Sequence, residues 1–444
     1  MLKRVINNNS INIVRYYTSV SNLTIKNPNS KKVVKEKVVI LGCGWSSYAF
    51  LMKLNTDKYD VTLVSPRNHF LFTPLLSSTC VGTLEFRSIA EPIRNSKDDF
   101  EYIQAQCLGI DPQKKTLECQ GSLHGEKLFQ ISYDKLIVGI GARNNTFGIK
   151  GVEEHAYFLK ELHQARSIRK RIIDIFEMAS LPDCTEEERQ RLLSIVIVGG
   201  GPTGVEVCSE ISDAFLEDLS KWYPQAPINQ VRITLLEASN RILNAFDEKL
   251  VKKAMINFKY SGVDIRTHTA VKEVQKDQVI LQDGSVIKFG LLIWSTGIGP
   301  QKVLDNWKFM EKDKHGRIKV DKQLRVQGHQ DIFAIGDCAG VDSENLPATA
   351  QVAQQEGHYL AHQFNLRAEN TNHVPFEFHS SGLLAYIGKR SSLLQTKYFD
   401  LSGFIAFLSW RSAYLTRLGS LRAKIQVPFD WFRTLVFGRD ITNF

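Results

Sequence analysis

Short apolar runs rich in β-branched residues recur along the chain, and each of the strongest ends in glycine. Lys37-Val38-Val39-Ile40-Leu41 stops at Gly42-Cys43-Gly44-Trp45-Ser46-Ser47 and gives way to helix-compatible sequence up to about Leu54. A second run, Val61–Val64, ends in Ser65-Pro66-Arg67. The pattern returns at Ser194–Val198, which leads into Gly199-Gly200-Gly201-Pro202-Thr203-Gly204 and then Val205-Glu206, and a run at Ile233–Leu236 follows and closes on Glu237. Three further runs close in the same way: Leu136–Val138 before Gly139-Ile140-Gly141-Ala142, Leu291–Trp294 before Ser295-Thr296-Gly297, and Asp331–Ile335 before Gly336-Asp337. Strand, glycine turn and helix in repetition predict an α/β chain.

The glycine turns carry candidate chemistry. Gly42 permits a tight turn and Gly44 a close backbone approach to a pyrophosphate, which the free N–H groups of the following helix favour. Ser47 stands where a third glycine is usual, and the same pattern also makes a plain βα turn. The second turn is complete, with Gly199, Gly201 and Gly204 all in place. Glu237 ends the next strand, where a carboxylate accepts from an adenosine ribose and repels a 2′-phosphate, so NADH is expected over NADPH. It lies 38 residues beyond Gly199, where about 20 is usual, so an extended helix and an inserted loop near 222–227 are expected. Two dinucleotide folds suggest two dinucleotides, and flavin is the one that accepts a hydride from a nicotinamide. Asp337 suits ribityl hydroxyls as well as it suits a helix cap, and the turns at Gly141-Ala142 and Thr296-Gly297 are read as crossings between domains at a bound dinucleotide.

Composition narrows the picture. The 444 residues, 43% apolar and 23% charged, with a mean hydropathy of −0.18, fit two or three globular domains at roughly 150 residues each. No window approaches the roughly eighteen apolar residues of a spanning helix, so membrane contact is expected to be peripheral. The net charge of +9 is concentrated: residues 1–35 hold seven bases and no acid, leaving +2 for the rest. With Arg15-Tyr16-Tyr17-Thr18-Ser19, that stretch reads as a mitochondrial transit peptide, a disordered basic tail being the alternative. A nucleic-acid partner is not expected, nor is a bound metal, and seven cysteines without metal-like spacing fit a reducing compartment. Over the last residues, Phe404, Ile405, Phe407, Leu408, Trp410, Tyr414 and Leu415 alternate with Arg411 and Arg417, and Trp431, Phe432, Leu435, Val436 and Phe437 with Arg433 and Arg439. This suits a helix lying among lipid headgroups, with guanidiniums on phosphates; docking on the body or a homodimer contact is the alternative, and both can hold together.

Four longer stretches stand out: Ser65-Pro66-Arg67-Asn68 with Phe70–Leu76, Gly82–Ile89, Ala350-Gln351-Val352-Ala353-Gln354-Gln355, and Trp410–Tyr414. Together they resemble the type II NADH dehydrogenases, single-subunit flavoprotein NADH:quinone oxidoreductases with the pyridine nucleotide-disulfide oxidoreductase fold. The resemblance implies noncovalent FAD at the first turn, with Gly42, Gly44, Trp45, Ser65, Arg67, Thr73, Gly141, Ala142, Gly336 and Asp337 about it. It implies NADH at the second, with Gly199, Gly201, Pro202, Thr203, Gly204, Glu237, Thr296 and Gly297. Glu206 is expected to orient the nicotinamide or flavin, and Gln351 and Gln355 to orient a ubiquinone carbonyl. At i and i+4 those glutamines could equally bond locally or face solvent; Gln354 replaces the family's imidazole. The implied activity is hydride transfer from NADH to FAD and two-electron reduction of ubiquinone, without proton pumping, at the surface of the mitochondrial inner membrane. The expected bounds are a transit peptide over 1–35, an FAD domain over 36–160 and 325–375, an NADH domain over 161–324, and a membrane-anchoring or dimerisation segment over 376–444. A sulfide:quinone oxidoreductase needs paired cysteines at the flavin, as does a disulfide reductase, and Cys43 and Cys80 make no such motif. An NADH-gated signalling flavoprotein resembling apoptosis-inducing factor is the other reading.

Overall fold

The computed structural model describes residues 35–123, 127–225, 230–341, 344–367 and 374–442. The expected transit peptide, Lys35 apart, lies outside the described residues, as do Ala226 and Pro227 of the expected inserted loop. The chain runs β1 (Glu36–Leu41), α1 (Trp45–Lys53), β2 (Tyr59–Val64), β3 (Glu101–Ile103), β4 (Ala105–Asp111), β5 (Thr116–Gly121), β6 (Leu128–Ser132) and β7 (Lys135–Val138). There follow β8 (Tyr157–Phe158), α2 (Leu162–Ala179), β9 (Ser194–Val198), α3 (Pro202–Ala214), β10 (Arg232–Leu236), α4 (Glu248–Tyr260), β11 (Val263–Arg266), β12 (Leu291–Trp294) and β13 (Ile332–Ala334). It ends with α5 (Ala350–Arg367), β14 (Leu383–Gly388), β15 (Ser391–Gln395), β16 (Asp400–Gly403), α6 (Phe404–Arg417) and α7 (Leu421–Phe437).

Two five-stranded sheets form the body, in the orders β13-β7-β1-β2-β3 and β8-β12-β9-β10-β11. The second is parallel throughout, and β13, β7 and β1 run parallel in the first. Both central strands are buried on both faces, which is why they read as continuous apolar runs rather than alternating ones. Register brings the carboxyl ends level: Leu41 and Ala334 both pair with Val138 in the first sheet, and Leu236 and Trp294 both pair with Val198 in the second. Each glycine turn therefore leaves the sheet at the same edge as its neighbours.

Close packing fixes the turns. A Cβ on Gly204 would lie 1.9 Å from the carbonyl oxygen of Gly199, so only glycine lets α3 seat against the end of β9. The first turn meets the same need from the other side. Ser47 is fully buried, its hydroxyl reaching the carbonyls of Leu41 and Gly139 at 3.3 Å, and a Cβ on Gly139 would lie 2.0 Å from that hydroxyl. The third glycine missing from the motif is supplied by a neighbouring strand.

The chain leaves the first sheet for the second beyond Asn144 and returns through Ile298. The outgoing Ala142–Asn144 pairs with the returning Ile298–Pro300 and satisfies its backbone groups there. β8 already belongs to the second sheet, and Ile318–Val320 pairs with Ala339–Val341. The long span from Gly199 to Glu237 has the expected cause in part: α3 continues through a π turn at Phe215–Leu219 into Ser220–Trp222 before the loop.

The last segment is an antiparallel sheet, β14-β15-β16, followed by α6 and α7. Asn257 of α4 donates to the carbonyls of Ile387 and Gly388, tying β14 to the second half. In α7 one face, Ala423, Val427, Asp430 and Trp431, is buried, while Leu421, Ile425, Phe429 and Phe432 stand exposed at the same helical spacing. The expected headgroup stripe is thus split. Phe407, Trp410 and Trp431 are buried against the body, Arg433 pairs with Glu85, and Arg439 with Glu217 and Asp218. These rings bury more area by docking, and a guanidinium drawn out of water takes the carboxylate nearest to it.

Gly204→Ala is expected to lower stability by about 1–3 kcal/mol, the usual range for overpacking, as read by urea unfolding; an unchanged midpoint would show that α3 can slide.

Candidate functional site

Both glycine turns open on one cavity of about 1720 Å³. On the first side it is lined by Gly42, Gly44, Trp45, Ser65, Arg67 and Thr73; at the crossings by Gly141, Ala142, Thr296 and Gly297; beside them by Gly336 and Asp337; and on the second side by Gly201, Pro202, Thr203 and Glu206. Gly199 and Gly204 are not among the lining residues; they pack beneath, where they shape the turn. Glu237 is also outside the lining, its carboxylate accepting from the backbone N–H of Gly200 (2.6 Å) and of Ser239 (2.7 Å).

The helix termini decide what the cavity can hold. α1 starts after Gly44 and α3 after Gly201, and neither has a side-chain cap or an acid in its first turn. Their first N–H groups therefore have no intrahelical or capping partner, and the dipole adds positive potential at the same place. A Cβ built on Gly44, Gly141 or Gly201 meets nothing within 4 Å, so the backbone faces open space at all three. Two uncapped N-termini beside bare backbone fit two pyrophosphates, which is the fit FAD and NADH require.

Side chains around the centre were only partly foreseen. Trp45 donates its indole N–H to the Thr73 hydroxyl at 3.0 Å. Arg67 pairs with Glu161 at 2.8 Å, and Lys160 approaches Asp337 at 4.0 Å. Burial holds the Lys160 ammonium below its ordinary range. Lys160 and Glu161 were missed; the available signal was a charged pair just before α2, where Glu161 forms a capping box with Gln164. Glu356 was missed as well: it lies buried on α5 and accepts from the Gly336 N–H, with its carboxyl lifted by burial to about 8.

A row of acids runs along α3. Glu206, Glu210 and Asp213 share one buried face at i, i+4 and i+7. Glu206 accepts from the Tyr386 N–H at 3.3 Å, Glu210 from the hydroxyls of Ser78 (2.6 Å) and Thr83 (2.8 Å), and Asp213 from the Tyr386 hydroxyl and the Lys389 N–H. Burial raises Glu206 to about 8 and Asp213 to about 6. At neutral pH Glu206 therefore carries a proton at the cavity wall.

Gln351 and Gln355 take neither of their expected local roles. The Gln351 amide donates to the Gly382 carbonyl (2.8 Å) and accepts from the Ser381 N–H (3.0 Å). The Gln355 amide does the same with the carbonyl and N–H of His379 (2.8 and 3.0 Å). Both are outside the cavity lining, although Ala350 and Ala353 of the same helix are in it. All seven cysteines are free, and no group of three metal-ligating side chains is present among the described residues.

Residues 36–357 match the family model of the pyridine nucleotide-disulphide oxidoreductases, and residues 380–440 that of the NDH2 C-terminal domain. The chain is 60% identical to a probable NADH dehydrogenase of Dictyostelium discoideum, with 96% of each chain covered. It is 42% identical to the mitochondrial internal alternative NAD(P)H-ubiquinone oxidoreductase A1 of Solanum tuberosum, with 93% of this chain and 89% of that one covered. The fold superposes on NDH2 of Plasmodium falciparum, solved in complex with NADH, with a TM-score of 0.87 at 29% identity over 92% of this chain and 100% of that one. A sulfide:quinone oxidoreductase of Aquifex aeolicus, at 16% identity and a TM-score of 0.69 over 91% and 96% of the two chains, shares the fold alone. The chain belongs to the pyridine nucleotide-disulphide oxidoreductases and, within them, to the type II NADH dehydrogenases.

Proposed function

We propose that this chain is a mitochondrial flavoprotein that passes a hydride from NADH to bound FAD and two electrons onward to ubiquinone, without pumping protons. The observation that carries the reading is the single cavity into which two uncapped helix N-termini both open. Bound at the first turn, the flavin supplies the hydride acceptor and the two-electron carrier. The chain's own work is positioning. The α1 terminus with Ser65 and Arg67 would hold FAD, and the α3 terminus with Glu237 would hold NADH. Gly141 and Gly297, with the small side chains of Ala142 and Thr296, would leave room for the two to approach. Protonated Glu206 would donate a hydrogen bond to a ring bound in this cavity, which Lys160 and Asp337 also line.

Each clamped glutamine keeps a second N–H and a lone pair, so Gln351 and Gln355 can still turn these toward a quinone carbonyl while holding residues 379–382 against α5. For the membrane, the exposed stripe on α7 together with Phe404, Ile405 and Leu408 of α6 supports docking at the inner-membrane surface, the route by which a lipid-soluble quinone would arrive. No helix among the described residues is long and apolar enough to cross a membrane. The sulfide reading lacks support, because no cysteine pair closes on the first turn.

Anaerobic NADH should bleach the flavin of the purified holoenzyme, and a short-chain ubiquinone should restore it; bleaching without restoration would overturn the quinone step. Glu237→Ala is expected to raise KM for NADH about tenfold or more, the worth of a contact to a charged group, with kcat nearly kept; an unchanged KM would remove Glu237 from nucleotide binding. The folded chain keeps a proton on Glu206 that the unfolded chain releases at a carboxylate's ordinary value. This group therefore costs stability increasingly from about pH 4.5 to about pH 8, and not below. Glu206→Gln should match wild type in Tm near pH 5 and exceed it near pH 8, whereas parallel curves would show that Glu206 is not the buried acid described.

A further inference from the structure

A second cavity, of about 430 Å³, lies between α3 with its π turn, the β14–β15 turn, α6 and α7. It lies outside the site already described and has its own charge logic. Its carboxylates are engaged: Glu210 accepts from Ser78 and Thr83, while Glu217 and Asp218 take Arg439. Two guanidiniums, of Arg411 and Arg390, make no side-chain hydrogen bond or salt bridge among the described residues. Arg411 lies between the rings of Phe407 and Trp431, 4.5 and 4.4 Å from their centroids, with its Nε buried and without a hydrogen-bond partner. Desolvation pulls the group below its ordinary range, although Glu210 and Tyr386 nearby offset this in part without a direct ion pair, and Arg390 adds to it.

Arg390 reaches the same cavity from the β14–β15 turn. Lys389 and Arg390 both adopt positive φ, 51° and 53°, where a two-residue turn ordinarily carries Asn-Gly. The turn is held by the buried Asp213 carboxylate on the Lys389 N–H and by the Tyr386 hydroxyl on the Arg390 N–H. The fold thus presents an arginine at a place that favours glycine. Beside it the cavity is rimmed by Leu435, Val436 and Phe437 of α7, all at least half exposed and continuous with the exposed stripe.

We propose that this cavity binds the phosphate of one anionic phospholipid, held by Arg411 and Arg390, with its acyl chains lying along the end of α7. The inference rests on the reading of α6 and α7 as membrane-docked. Two planar forks fit phosphate oxygens bidentately, stacking fixes one fork in advance, and the apolar rim selects a lipid over a free ion.

The test uses the full-length holoprotein with dihexanoyl phosphatidylglycerol below its micelle concentration, followed by tryptophan fluorescence, since Trp410 and Trp431 line the cavity. Saturable binding is expected, weakened about tenfold, one charge-assisted contact, in Arg390→Gly, whose positive φ glycine accepts without strain. NADH oxidation with a short-chain quinone should be unchanged in that variant. Arg411→Gln should lose binding altogether. Equal affinity for inorganic phosphate, or undiminished lipid binding by Arg390→Gly, would overturn the proposal. Flotation with phosphatidylcholine vesicles separates the two readings: no flotation of wild type overturns membrane docking, whereas flotation without saturable lipid binding overturns the headgroup site alone.

Discussion

The structure depends on how closely two helices can approach the ends of two strands. At β9 the carbonyl of Gly199 occupies the space that any side chain at 204 would need. At β1 the buried Ser47 hydroxyl occupies the corresponding space against Gly139. This contact pins each helix with its first turn over the carboxyl edge of its sheet, leaving N–H groups that neither the helix nor a capping side chain satisfies. Two such ends opening on one cavity suit an anion in each half, and the redox function rests on their sharing that cavity.

The second constraint is the burial of acids along α3. A carboxylate taken out of water must find donors or keep its proton. Glu206 keeps a proton, Glu210 takes two hydroxyls from the segment around Ser78 and Thr83, and Asp213 takes the Tyr386 hydroxyl and the Lys389 N–H. Those partners come from both sides of α3, so one row of acids binds the second dinucleotide half to the C-terminal sheet and to the segment leading to Glu85. Through Glu85 and Asp430 the same polar layer reaches α7: the Glu85 N–H and the Ser88 hydroxyl both donate to Asp430. The C-terminal helices are therefore fastened by polar contacts on one face, which leaves the other face apolar and exposed.

Much of the first-order site was legible because its chemistry is local. A glycine turn between strand and helix is a property of a few consecutive residues, so Gly42, Gly44, Gly201, Pro202, Thr203 and the crossings at Gly141 and Gly297 could be read directly. What was missed comes from distant chain segments: Glu161 meets Arg67 across 94 positions and Glu356 meets the Gly336 N–H across 20, and spacing carries no signal for such pairs. Gln351 and Gln355 show the opposite limit, since their helical spacing is real but their partners lie on an irregular segment whose position only the fold reveals.

The sequence by itself determined the strands, the order of the two dinucleotide turns and the acid at the end of β10, because each follows from short-range periodicity and backbone sterics. It also determined that the C-terminal helices would be amphipathic. Only the tertiary structure decided which side of each helix faces the body, sending Trp410 and Trp431 inward and Phe432 and Leu435 outward. It alone decided that Arg433 and Arg439 form salt bridges while Arg411 and Arg390 form none among the described residues. A charge's worth depends on what lies within a few ångströms of it in space, and that neighbourhood is assembled from segments hundreds of residues apart.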